Sequence, residues 1–278
     1  MIVRVPATSA NMGPGFDALG VALTLWAEVG LVIDGEVPAD AQLADQHHLA
    51  TAAFRRLGGV GDVWVRSPIP MARGLGYSAA VRVGGLLLAS AQQASSGADV
   101  HDDVLAHATA LEGHADNAAP ALLGGVVVTT GERSIRVPLQ FDPAVVVWVP
   151  SFTTRTDHSR TKLGPQVPLA DAVFNIGRAA FLVAALASGD INALSHAMED
   201  RIHQPSRFAA SPGSKEAHSA ATASGAWSAW LSGSGPTVAA LCAVESAEQV
   251  ASAMAAVADG VGHTKVLRID HGGATIEM

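Results

Sequence analysis

Pro70-Met71-Ala72-Arg73-Gly74-Leu75-Gly76-Tyr77-Ser78-Ala79-Ala80 lies between a strand-like segment, Val63 to Val65, and an apolar helix-like run, Val83 to Ala89. Glycine lets the backbone come close to an anion. A helix that starts just after such a loop points unpaired N–H groups and a partial positive charge at the same place. The stretch therefore reads as a phosphate cradle. It lacks the Gly-Lys-Ser/Thr ending of a Walker A loop. It also lacks the third glycine of the dinucleotide fingerprint.

Two further segments share its glycine-rich, polar character. One is Pro6-Ala7-Thr8-Ser9-Ala10-Asn11-Met12-Gly13-Pro14-Gly15-Phe16-Asp17, and the other is Leu231-Ser232-Gly233-Ser234-Gly235-Pro236-Thr237. In this order the three segments resemble the GHMP kinases. Glu112-Gly113-His114-Ala115-Asp116-Asn117, followed by Ala118 to Gly125, is similar to the homoserine kinase branch, as is Asp200-Arg201-Ile202-His203-Gln204-Pro205-Ser206-Arg207. The resemblance spans nearly the whole chain. It implies an α+β, two-domain GHMP-kinase fold. The N-terminal domain, residues 1–149, would be ribosomal-protein-S5-like and carry the phosphate loop. Residues 150–278 would form a ferredoxin-like domain, with the ligand cleft between the two.

The bulk numbers agree with a globular enzyme. The chain has 278 residues, 49% of them apolar and 15% charged, enough for a sizeable core and unlike a disordered segment. A net charge of −8 with no Lys/Arg block argues against nucleic-acid binding. The single cysteine, Cys242, rules out an internal disulfide and reads as a buried small hydrophobe. No apolar run reaches the length of a membrane span, and the start reads as a strand, so the expected location is the cytoplasm.

Patterning predicts strands at residues 3–5, 21–33, 63–65, 126–130, 135–137, 145–149, 238–244 and 264–269, with another around Trp230. Helices are predicted at 48–57, from the glycine loop to about 95, and at 100–112, 170–187, 191–198, 214–223 and 247–257. Residues 35–46 read as a loop. The absence of steady strand–helix alternation argues α+β. Trp227 and Trp230 read as core, and His47-His48 as a loop or helix cap.

A small-molecule kinase must hold a triphosphate and a metal ion, and must aim one hydroxyl at the terminal phosphate. The resemblance assigns ATP to Gly74, Leu75, Gly76, Tyr77, Ser78, Ala79 and Ala80, with His48 near the adenine. It assigns Mg²⁺ to Glu112 and Ser78. The amino-acid substrate would be met by Asn11, Asp17, His114, Asp116, Thr156, Arg160, Arg207 and Gly233. In that set the planar forks of Arg160 and Arg207 match a carboxylate. Asp17 would take the ammonium group, and Asn11 the hydroxyl. Asn11, Asn117 and Arg160 fall at the reacting centre. Many GHMP kinases place an Asp base near the position of Asn117, and an amide cannot serve as one. The implied partner is a small amino acid, with a homodimer as the candidate assembly.

Three features depart from the family, all on the nucleotide side. Tyr77 replaces the first serine of the usual Gly-Leu-Gly-Ser-Ser-Ala. Arg82 stands where the family has an aliphatic residue, either as a phosphate ligand or as the mark of a helix face no longer buried. The connection from Ile33 to His47 is short. Two functions are therefore expected to compete: phosphorylation of the hydroxyl of homoserine or a similar amino acid, or a repurposed amino-acid pocket that no longer uses ATP as the family does.

Overall fold

Two long strands, β1 (Ile2–Ala10) and β2 (Leu19–Leu31), pair antiparallel from Ile2 opposite Gly30 to Ala10 opposite Gly20. Both are rich in small and β-branched residues that suit a pleated surface. The computed structural model describes residues 1–93, 100–152, 163–164, 166–257 and 262–277. β2 is long enough to serve two partners. Its Glu28–Leu31 end pairs with β4 (Val63–Arg66), and its Leu19–Val21 end with β5 (Val126–Thr129). β3 (Gln42–Ala44) and β6 (Ser134–Val137) add to β4 and β5.

Three helices follow in the first part of the chain: α1 (Leu49–Arg56), α2 (Tyr77–Gln93) and α3 (Val100–Glu112). A short α4 (Ala118–Leu123) comes next. α2 packs on the sheet and on α1 at Gly84 and Gly85. A Cβ on Gly84 would lie 2.5 Å from Val29 Cγ2, and one on Gly85 2.3 Å from the Ala50 carbonyl. These two glycines set the depth at which α2 sits, and with it the height of its N-terminus.

The second sheet runs β10 (Gly262–Arg268), β7 (Ala144–Pro150), β9 (Val238–Cys242), β8 (Ser228–Leu231), all antiparallel. In chain order this is strand, helices, strand, strand, helix, strand with the first strand central, the ferredoxin-like arrangement. Its helices are α5 (Leu169–Ser188), α6 (Leu194–Ala197), α7 (Gln204–Ala210), α8 (Pro212–Ala223) and α9 (Ala247–Ala255). Trp230 is fully buried, and Cys242 lies buried in β9.

β7 is buried along its whole length and pairs with β9 and β10, so the second sheet begins at Ala144. β11 (Thr275–Glu277) returns to the first sheet beside β1. Within the stretch read as a loop at 35–46, Gln42–Ala44 is a short edge strand.

α5 is 20 residues long with a mean hydropathy of 1.6, enough by length and composition to cross a membrane. Its polar residues are tied to the protein instead. Asn175 donates to Asp200 at 2.6 Å and accepts from the Arg201 N–H at 2.9 Å, and Arg178 pairs with Glu199 at 3.0 Å.

Candidate active site

The turn after β1 carries four residues with positive φ: Asn11, Met12, Gly13 and Asp17, at 73°, 42°, 70° and 58°. Three of these residues are not glycine, and such backbone persists only where neighbours fix it. Here Asn11 does much of the fixing. Its Oδ1 accepts from the Asp17 N–H at 3.0 Å, and its Nδ2 donates to the Gly233 carbonyl at 2.8 Å. The same carbonyl accepts from Arg207 Nη1 at 2.9 Å. Arg207 is buried on α7, so one carbonyl joins the N-terminal turn to the second domain's helix.

The glycine loop is anchored from both domains. The Thr8 N–H donates to the Leu75 carbonyl at 3.2 Å, and Ser232 Oγ to the Gly74 carbonyl at 2.5 Å. Ser232 also meets Ser9 Oγ at 2.7 Å, which accepts from Trp230 Nε1 at 2.9 Å. Arg73 donates to the carbonyls of Pro150 and Ser151.

A cleft of about 480 Å³ runs between these parts. Its glycine-loop wall contains Gly74, Leu75, Gly76, Tyr77, Ser78 and Ala79, with Arg82 and Glu112 beside them. Its other wall contains Asn11, Asp17, His114, Asp116, Asn117, Arg207 and Gly233. Ala80 is fully buried in the core rather than on the wall, because α2 turns its side chain toward the sheet. His48 stands behind Tyr77, as the N-cap of α1. Thr156 and Arg160 lie outside the described residues.

On the loop side, Glu112 Oε1 accepts from Ser78 Oγ at 2.6 Å and pairs with the Arg82 guanidinium. Arg82 therefore belongs to the cleft and neutralises Glu112; it does not mark a lost buried face. On the other side His114 Nδ1 lies 2.5 Å from Asp116 Oδ1, which also accepts from Asn117 Nδ2 at 3.3 Å. Asn117 Oδ1 accepts from Thr8 Oγ1 at 2.8 Å.

Models of the GHMP kinase N-terminal domain and the GHMP kinase C-terminal region match residues 45–125 and 182–260. A homoserine kinase of Moorella thermoacetica is 42% identical over 260 residues, 87% of this chain and 87% of that one. The chain belongs to the GHMP kinases. A homoserine kinase of Thermus thermophilus is 40% identical over 281 residues, 96% of each chain. The crystal structure of homoserine kinase from Cytophaga hutchinsonii superposes with a TM-score of 0.84 at 27% identity, covering 100% of this chain and 97% of that one. Within the GHMP kinases this protein is a homoserine kinase-like small-molecule phosphotransferase.

One residue of the Asp200–Arg207 segment shapes this kinase site in a way that the segment alone does not define. His203 is fully buried and stacks on Phe16 at 5.2 Å. Its Nε2 donates to the Gly13 carbonyl at 2.7 Å, and its Nδ1 accepts from Arg207 Nη1 at 3.0 Å. A carbonyl can only accept and a guanidinium can only donate, so these contacts define the neutral Nε2–H form. Burial pushes the His203 pKa down; Asp200 opposes the shift, and the Arg207 charge adds to it. Burial also lowers His218, whose Nε2 donates to the Ala229 carbonyl at 3.0 Å.

The unfolded chain therefore binds these protons more readily than the folded one. The stability they confer is complete above the ordinary histidine value of about 6.5 and is lost as pH falls below it toward the lower folded values. The melting temperature is expected to be flat from about pH 7 to 8 and to fall between about pH 6.5 and 5. His218→Gln, which keeps a donor for Ala229 but does not titrate, is expected to flatten that fall. Thermal unfolding followed across pH tests both; equal slopes in wild type and variant would remove His218 from the explanation.

Proposed function

We propose that the protein transfers the γ-phosphoryl group of ATP to the side-chain hydroxyl of homoserine. The observation that carries this is a single cleft with a phosphate cradle on one wall and a buried guanidinium with a nearby carboxylate, Arg207 and Asp17, on the other. Relatives named homoserine kinase support the substrate. They lend no support to a pocket that has abandoned ATP.

The N–H groups at the start of α2 and the Gly74–Gly76 backbone would hold the phosphates. Glu112 and Ser78 supply a carboxylate and a hydroxyl within 2.6 Å of each other. Such oxygen donors suit Mg²⁺, which commonly takes one carboxylate together with phosphate oxygens. When bound there, Mg²⁺ would neutralise charge on the transferring group. Arg82 adds a second positive charge beside the same carboxylate.

On the other wall, Arg207 would clamp the α-carboxylate; the resemblance also gives Arg160 and Thr156, which lie outside the described residues, to the substrate. Asp17 would take the ammonium, and His114 with Asp116 would shape the pocket. Asn11 retains a second amide hydrogen and a second oxygen lone pair for the substrate hydroxyl. The Asn117 amide is already spent on Thr8 and Asp116 and cannot take a proton. Positioning and electrostatics, rather than a strong base at that site, would drive the transfer.

The test is phosphate-ester formation from ATP with homoserine, threonine and serine in parallel, followed by phosphorus NMR. Turnover is expected to be best with homoserine. Equal turnover of all three would remove homoserine as the specific substrate, and ATP binding without any transfer would overturn the kinase reading.

A further inference from the structure

Tyr77 opens α2 on the wall of the cleft, where its ring is half-buried. Its hydroxyl lies 3.1 Å from His48 Nε2. Which of the two donates is settled one residue further back. His48 caps α1, and its Nδ1 accepts from the Ala50 N–H at 3.1 Å. A backbone N–H can only donate, so Nδ1 carries no proton. The ring's proton is then on Nε2, and Nε2 donates to the Tyr77 oxygen. Burial lowers the His48 pKa against the pull of Asp45, which agrees with a neutral ring.

The phenol proton is thereby left pointing elsewhere. Among the described residues no acceptor for it is found. A hydroxyl on a cleft wall with a fixed incoming bond and a spare donor is arranged to meet an acceptor ligand. Tyr77 directly follows the Gly74–Gly76 loop in the chain and lines the same cleft, and the chemistry of that loop is that of an anion cradle.

We propose that the Tyr77 hydroxyl donates a hydrogen bond to a phosphate oxygen of the bound nucleotide, and that His48 is the positioning residue that turns the phenol proton toward it. The requirement is strict in orientation. If His48 were reversed, with the proton on Nδ1, the phenol proton would go to Nε2 and be lost to the nucleotide.

This inference rests on ATP being the phosphoryl donor, so binding of MgATP to the wild type is measured first, by calorimetry. Wild type that binds no MgATP would defeat the proposed function itself. Given binding, Tyr77→Phe keeps the ring and removes only the donor. It is expected to weaken MgATP and MgADP by about ten-fold or more, the size associated with losing one hydrogen bond to a charged group. Adenosine binding should be unchanged. Unchanged MgATP affinity would overturn the proposal. An equal loss for adenosine would overturn the assignment to phosphate.

His48→Leu should reproduce most of the Tyr77→Phe loss, and His48→Gln, which keeps a donor near Nε2, should restore part of it. Identical affinities in the two His48 variants would remove His48 from the proposal. Nitrogen NMR of the His48 ring reads the tautomer directly in the folded wild type; a proton on Nδ1 would overturn it without any binding measurement.

Discussion

Arg207→Ala is expected to weaken homoserine binding at least ~30-fold while leaving MgATP affinity within about two-fold. Removing one partner of a buried, charged hydrogen bond typically costs about 2–5 kcal/mol, and 2 kcal/mol already corresponds to ~30-fold. Arg207 is 8% exposed, so water cannot replace it cheaply. Its fork is also held before substrate arrives, by Gly233 and by the neutral face of His203. A pre-oriented guanidinium loses little freedom on binding, which makes its removal more costly. Arg207→Lys keeps the charge and loses the planar fork, so an intermediate affinity is expected. Calorimetry with homoserine and MgATP separately checks both halves. Unchanged homoserine affinity in the alanine variant, with a normal melting temperature, would place the carboxylate elsewhere.

Much of this molecule can be read before folding is considered, because its chemistry is written in short local segments. The glycine loop, the turn from Pro6 to Asp17 and the segment from Glu112 to Asn117 each carry their own residues, and the fold brings them to one cleft. The strands of both sheets are short apolar runs with turn residues between them, and most are visible for that reason. What is not local is harder to see. β7 reads as a strand, but its sheet depends on partners nearly a hundred residues downstream. β3 and β11 are three-residue edge strands with exposed positions, too short for a pattern. α7, Gln204–Ala210, has no clear apolar stripe.

The same distinction applies inside the site. His48 as a helix cap follows from its place before Leu49, and the structure bears it out. Its bond to Tyr77 spans 29 positions and follows from no spacing rule. Thr8 and His203 fall inside segments that carry the resemblance, but their roles are set by partners far away, Asn117 for one and Gly13 for the other. Arg82 is ambiguous in the sequence because its meaning depends on where Glu112 ends up.

Gly76→Ala is expected to be among the most destabilising single-methyl additions in the protein, and the reason can be separated into two parts. Gly76 has φ +68°, a conformation that costs a residue with a Cβ roughly 1–2 kcal/mol. Gly131, in the turn between β5 and β6, has φ +89° but nothing within 4 Å of an added Cβ. Gly131→Ala therefore measures the backbone cost alone. At Gly76 the new methyl would also lie 1.9 Å from Thr8 Oγ1, which is fully buried and donates to Asn117. That hydroxyl cannot move aside without breaking its bond, so an overpacking cost of about 1–3 kcal/mol adds to the strain. A chain of this size loses roughly 2–4 °C of melting temperature per kcal/mol. Gly131→Ala is expected to fall by a few degrees, and Gly76→Ala by about twice as much or more. Because the Thr8–Asn117 bond and the loop share the strain, Gly76→Ala should also weaken MgATP binding, whereas Gly131→Ala should not. Thermal unfolding and calorimetry of the two variants decide it, and equal losses in both would show that the loop has room that its close approach to Thr8 denies.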